Sequence, residues 1–358
     1  MRDRFGVILI GAAAFACGHH ASQSSLDPGV HSLNPQASAE GGLVASDAGV
    51  ATDGATADAR ADATSGPGEV LASALPRPTN LRLAGAELFW LTDDALWKMP
   101  ATGGAAAKLT SGLVQPDALR VDEARAYWLT YGGQGAGLHA IARAGGAAED
   151  LVLAAAPMPL RDLALDDESV FFTNAPAGKV MKVAKNGGAP SVVASNLDGP
   201  TSIEVDGADV FVVESGEPGA IVRVGGGQKV TIASSRPNPR DLALDAQYVY
   251  WIDGGAFDPK LQKNVGAAIA RAPRAGGAAS VVAPVEDASH LAVAGAWVYT
   301  CVGDVVMRAP ATGGALATFA GAQESPSALA IGLGFVHWSD RGTAAKAWGD
   351  GSIRRLAP

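Results

Sequence analysis

Three short strings recur in fixed order along residues 69–358, and self-similarity at a short period leaves a chain few folds to choose from. The first is a Leu/Ala/Val segment: Leu81-Arg82-Leu83, Leu119-Arg120-Val121-Asp122, Leu163-Ala164-Leu165-Asp166, Ile203-Glu204-Val205-Asp206, Leu242-Ala243-Leu244-Asp245, Leu291-Ala292-Val293 and Leu329-Ala330-Ile331. The second is aromatic: Phe89-Trp90-Leu91-Thr92, Tyr127-Trp128-Leu129-Thr130, Phe171-Phe172-Thr173-Asn174, Phe211-Val212-Val213-Glu214, Tyr250-Trp251-Ile252-Asp253, Tyr299-Thr300-Cys301 and His337-Trp338-Ser339-Asp340. The third alternates, as in Ala268-Ile269-Ala270-Arg271-Ala272-Pro273, and usually ends in a glycine doublet, at Gly103, Gly145, Gly187, Gly226, Gly276 and Gly313. A fourth apolar run follows each doublet, for example Ser191-Val192-Val193-Ala194.

Four short strands per unit at a period of about 40 residues is the arithmetic of a β-propeller blade. Gly-Gly supplies the positive φ that a tight turn needs, and aromatic and β-branched residues suit a pleated, half-buried surface. A helical repeat would need amphipathic runs of ten or more residues, and none is present. The expected fold is therefore all-β, a seven-bladed propeller of four-stranded antiparallel blades over residues 69–358. Six blades is the competing count, because the aromatic string is degenerate in units four and six.

The seventh unit supplies three strands and stops at Gly351-Ser352-Ile353-Arg354-Arg355-Leu356. Glu69-Val70-Leu71-Ala72-Ser73, followed by Pro76 and Thr79-Asn80, reads like every other fourth strand and the loop leaving it. A ring that takes its last strand from its own N-terminus closes without an open edge.

Residues 1–68 read differently. Arg2 and Arg4 precede an apolar stretch, Phe5 to Ala16, too short to span a bilayer as a helix. It ends in Ala14-Phe15-Ala16-Cys17 and resembles a bacterial lipoprotein signal peptide over 1–17, with Ala14 where Leu is usual. That resemblance implies acylation of Cys17. It places the protein outside the cytoplasm, anchored by lipid in the bacterial cell envelope (outer membrane or periplasmic face), with plain secretion as the alternative. Residues 18–68 are rich in Ala, Gly, Ser and Asp, with too little apolar surface to offset the entropy of ordering, and read as a disordered tether. Cys301 is then a lone thiol in a strand, expected as a small core hydrophobe.

The net charge of −9 includes no basic stripe of the kind that releases counterions from phosphates, so nucleic acid is not an expected partner. The expectation is a monomer that touches the membrane only through its N-terminal lipid and binds an envelope protein, peptide or glycan.

Pro239-Arg240-Asp241-Leu242-Ala243-Leu244-Asp245 followed by Tyr250-Trp251-Ile252-Asp253 resembles the YWTD and NHL groups of propellers. The likeness departs from strict YWTD repeats in units four and six, where the second string has no Trp. It implies the fold; both groups include receptors, scaffolds and enzymes, so it does not imply one function.

In such blades the first strand lines the central channel, and the loop leading into it opens on one face. Asn80, Asp117, Arg161-Asp162, Thr201-Ser202, Arg240-Asp241, Ser289-His290 and Ser327 are therefore expected around one channel mouth. They are candidates for ligand binding, and equally for bracing the turns between blades, with Arg161-Asp162 and Arg240-Asp241 as a neutralised ion-pair network. Three longer loops should open on the same face: Tyr131–Gly137, Gly254–Gly266 and Arg341–Gly351, with Tyr131, Phe257 and Trp348 as contact residues. The preferred function is a non-catalytic, lipid-tethered binding or scaffold module needing no cofactor. The alternative is a hydrolase or lyase resembling the lactonases or streptogramin lyases, with Asp117, Asp162, Asp241, Asn80 and His290 holding Ca²⁺ or Mg²⁺. No catalytic motif stands out in the sequence.

Overall fold

The second strand of each repeat is apolar at consecutive positions, because a blade has a neighbour on both faces. The computed structural model describes residues 66–131, 137–153 and 160–358. In it Val170, Phe171 and Phe172 are all buried, as are Val210 through Val213. A strand with one wet face would alternate instead.

Seven four-stranded antiparallel sheets form the blades of a propeller. Blade 1 runs from the centre outward as Thr79–Ala84, Glu87–Leu91, Ala95–Pro100 and Ala107–Ser111. The innermost strands of blades 2 to 7 are Pro116–Val121, Leu160–Leu165, Pro200–Asp206, Pro239–Leu244, Ala288–Ala294 and Pro326–Gly332. Each touches the next around a closed ring, Thr79–Ala84 meeting both Pro116–Val121 and Pro326–Gly332. The count is seven, and the six-blade alternative falls.

The core lies in the seams rather than at the centre. Each of seven apolar clusters joins two adjacent blades. Phe89 and Leu96 of blade 1 pack with Leu119 and Trp128 of blade 2, and Tyr299 of blade 6 packs with Trp338 of blade 7. Cys301 belongs to that last seam, 1% exposed, and burial pushes its thiol pKa well above the ordinary value. It behaves as the small hydrophobe that was expected.

Glu69–Leu75 pairs with the C-terminal strand Gly351–Leu356 and completes blade 7 as its outermost strand. Arg355 donates to Glu69 across the join at 2.8 Å. The signal segment, Cys17 and nearly all of the tether lie outside the described residues.

The glycine doublets do what their φ values allow. Gly103 and Gly104 adopt φ of 91° and 126°, and the Gly103 N–H closes the turn on the Pro100 carbonyl at 3.0 Å. Blade 4 departs from this, with Gly226 and Gly227 at 57° and 76° in a two-residue hairpin between Gly225 and Gln228. In three blades the residue two before the doublet is a cation that latches the preceding blade. Arg143 donates to Glu87 and the Ala84 carbonyl, Lys185 to Asp122, and Arg274 to Asp206.

Candidate functional site

Every innermost strand slips register against its partner just after it begins, as between Thr79 and Arg82, Leu160 and Leu163, or Ser289 and Leu291. Such a bulge re-aims the side chain at the slip, here toward the channel mouth. In four blades the slipped residue is left-handed: Asn80 at φ 52°, Ala118 at 47°, Asp241 at 55° and His290 at 58°. Asn, Asp and His are among the non-glycine residues that accept this region most readily, which helps explain their presence here.

All eleven residues expected at the mouth line a single cavity of about 1050 Å³, together with Tyr131. Phe257 and Trp348 do not line it. Phe257 is exposed on a small extra hairpin, Ala256–Asp258 with Lys263–Val265, whereas Trp348 is half-buried beneath the Arg77 guanidinium, 5.4 Å from its ring centroid. Residues 132–136 of the first long loop lie outside the described residues; Tyr131 itself donates to the Arg161 carbonyl at 3.1 Å.

Much of the polar mouth holds blades together. Asp162 accepts the Leu163 N–H at 2.8 Å through Oδ1 and the Ile203 N–H of blade 4 at 3.1 Å through Oδ2. Asp241 does the same with Leu242 at 2.9 Å and with Leu291 of blade 6 at 2.7 Å. Asn80 donates to Asp117, Arg240 to the Ala288 carbonyl, Ser327 to the Pro78 carbonyl, and Thr201 accepts Thr173 on its carbonyl, each from one blade to the next. Burial pushes both Asp162 and Asp241 above the usual carboxylate range; their N–H partners and nearby arginines act against it. Each of the four oxygens already accepts one main-chain donor, which leaves fewer lone pairs for a divalent cation. Among the described residues no group of three or more His, Cys, Asp and Glu side chains stands close enough to hold a metal ion.

The ion-pair network differs from the expected one. Arg161 and Arg240 do not pair with the neighbouring aspartates; Arg120 does, lying 3.5 Å from Asp162 and 3.0 Å from Glu204. Arg120 sits on blade 2 and Glu204 on blade 4, so the pair spans the inner end of blade 3, where the matching residue is Ala164. At that register position four blades carry alanine, Ala164, Ala243, Ala292 and Ala330, and three carry Arg82, Arg120 and Glu204. The residues expected at the mouth did not include these three. The signal was available, because aligning the repeats makes them stand out from alanine.

Burial works against the Arg120 charge, but Asp162, Glu204 and Asp241 outweigh it and raise its pKa. The same three acids also favour the Arg82 charge, but none is within ion-pair distance and they do not outweigh burial. Arg82 donates to the Leu119 and Leu81 carbonyls at 2.8 and 2.9 Å, and burial, reinforced by Arg120, lowers its pKa to about 10. His290 lines the same cavity without a hydrogen-bond partner among the described residues, and burial lowers its pKa to about 4, so it is neutral.

A second constellation looks catalytic by distance alone. Thr130 Oγ1 lies 2.7 Å from His139 Nε2, and His139 Nδ1 lies 2.8 Å from Asp150. The spacing matches a hydroxyl–imidazole–carboxylate relay. Yet Thr130 occupies the fourth position of the aromatic string, where other blades place a buried acid against a cation: Glu214 with Lys229, Asp253 with Arg236, Asp340 with Arg354. Thr130 is 7% exposed and His139 stacks on Trp128. The trio is blade 2's version of a structural pair.

No family model matches the chain, and no curated protein matches it in sequence. Among solved structures it is similar to a streptogramin B lyase, at 10% identity and a TM-score of 0.63, covering 81% of this chain and 97% of that one. Virginiamycin B lyase from Staphylococcus aureus matches at 15% identity and 0.54, over 68% of this chain and 81% of that one. A chain of a nidogen/laminin complex matches at 16% and 0.52, over 66% and 94%. At these identities the likeness concerns the fold, and it reaches two lyases and a chain of a nidogen/laminin complex alike.

Proposed function

We propose that this chain is a non-catalytic binding propeller that takes its ligand at the channel mouth, exported and tethered to the bacterial cell envelope through an acyl group on Cys17. What carries the reading is the double occupancy of Asp162 and Asp241. The carboxylates best placed to hold a metal or act as a base are the ones that bind blade 3 to blade 4 and blade 5 to blade 6. What is left facing the cavity is a rigid frame lined with hydrogen-bonding groups, which suits recognition.

A thermal-shift screen of the full chain against sugars, lactones, peptides, Ca²⁺ and Mg²⁺ tests this reading. A ligand that binds only the native state raises apparent stability by mass action. Shifts with an organic ligand but no turnover are expected. Conversion of a lactone that depends on a divalent cation would replace it with the second reading, a metal-dependent hydrolase or lyase. That second reading draws on one observation, the neutral, unpartnered His290 near Asp117. Loss of turnover in His290→Ala would place His290 in its active centre. Acylation is checked separately, by metabolic labelling with an alkyne fatty acid that Cys17→Ser should abolish.

A further inference from the structure

Arg82 lies inside the channel and makes no ion pair with a carboxylate among the described residues. We infer that Arg82 is the anion-binding group of this cavity, and that its ligand is a small organic acid with one carboxylate on the guanidinium and an apolar body laid against blades 5 to 7. The inference rests on the reading that the channel mouth binds the ligand, and it names the ligand's chemical class.

Three observations converge on it. First, two of the five N–H donors of the Arg82 guanidinium are held by the carbonyls of Leu119 and Leu81, both neutral. No described carboxylate oxygen comes within 4.0 Å of it, whereas Arg120 has two such partners, Asp162 and Glu204. The two carbonyls fix the plane of the fork and leave the other donors directed away from them. A carboxylate matches that fork, and a desolvated guanidinium whose nearest protein carboxylates stand beyond ion-pair distance favours one.

Second, His290 offers an imidazole to the same cavity with no partner of its own. Arg82 and Arg341 lie near enough to hold it neutral, so it can present an N–H to a second carboxylate oxygen. Third, the cavity wall is two-sided. Blades 1 to 4 line it mainly with charged and polar groups, while blades 5 to 7, beside polar groups such as Asp241 and His290, contribute the apolar Leu242, Ala243, Leu291 and Leu329.

Charge also selects among anions. Asp162, Glu204 and Asp241 all act on Arg82 from within the same channel. They would repel a dianion more than a monoanion, so a carboxylate is favoured over inorganic phosphate.

Ligand-observed NMR titration of the full chain, with butyrate, butyramide, butylammonium and inorganic phosphate as probes, reads this directly. Butyrate should bind at least about 10-fold more tightly than the other three, the range that a charge-assisted hydrogen bond confers. Arg82→Gln, with its fold checked by circular dichroism, should lose that preference, and Arg82→Lys should keep part of it. Ala243→Leu, which narrows the cavity from blade 5, should weaken butyrate as well and serves if Arg82→Gln does not fold.

Equal binding of butyrate and butyramide, both weakened by Ala243→Leu, would overturn the acid assignment and leave the channel as the binding site. Undiminished butyrate binding by folded Arg82→Gln, or no binding of butyrate by the unaltered chain, would also overturn it. Butyrate binding indifferent to both Arg82→Gln and Ala243→Leu would move the site out of the channel, and the functional reading would fall too.

Discussion

Asp162 Oδ2 accepts the backbone N–H of Ile203 at 3.1 Å, so a side chain on blade 3 holds the innermost strand of blade 4. Its other oxygen holds Leu163 at 2.8 Å. Asp162→Ala leaves both N–H groups without an acceptor near the closed end of a bulge. The expected cost is about 3 kcal/mol, seen as a lowered urea midpoint. Asp162→Asn, whose amide oxygen can serve only one of the two, should cost roughly half as much. Equal, near-zero losses would mean the brace contributes nothing.

Arg120 pairs with two half-buried acids at once. Arg120→Met strands Asp162 and Glu204 and, because both acids keep some solvent, should destabilise by about 1–3 kcal/mol, less than a fully buried pair. Adding Glu204→Leu removes one stranded charge and should recover a large part of that loss. A double-mutant cycle in chemical denaturation measures the coupling, and strict additivity would contradict it.

Asp340 supplies a pH signature. Its Oδ2 is taken by Ser352 and Arg354, while its Oδ1 is buried with no partner. Burial raises its pKa from 3.8 to about 6, against the pull of Arg354. The folded state therefore keeps a proton that the unfolded state releases, and this group's contribution to stability falls as pH rises from about 4 to about 6. In Asp340→Asn that contribution is absent. The difference in unfolding free energy between the two proteins should change by on the order of 2 kcal/mol across the window, and no change would sink the assignment.

Ring closure depends on Glu69–Leu75 lying against Gly351–Leu356. A chain beginning at Arg77 exposes the latter strand as an unpaired edge and opens the seam in which Leu71 and Ala72 pack against Ile353. It should melt at a lower temperature and elute as aggregates on size exclusion, and a peptide of residues 66–76 added in trans should partly restore the monomer. A monomer as stable as the parent would show that closure contributes little.

The fold was legible because each blade repeats the same local instructions. Aromatic strings such as Tyr250-Trp251-Ile252-Asp253 mark a strand buried on both faces, and the doublet at Gly103 marks a turn that only positive φ permits. These are properties of a residue and its chain neighbours, so the sequence carries them openly. The closing strand was legible for the same reason, since 69–73 has the pattern of six other outermost strands.

The site was only half legible. Repeat register placed Asn80, Asp117, Asp162, Asp241 and His290 at one mouth, because propeller symmetry converts equivalent positions into a ring. It could not say that Asp162 and Asp241 would have both oxygens engaged by the next blade, that Arg120 would reach past Ala164 to Glu204, or that Arg82 would meet only carbonyls. Those outcomes depend on distances between blades about 40 to 85 residues apart in the chain, which no local pattern encodes. By itself the sequence determined the architecture and the positions open to chemistry. The tertiary structure decided which of their charges are answered and which are not, because the energy of a buried charge depends on every neighbour within a few ångströms.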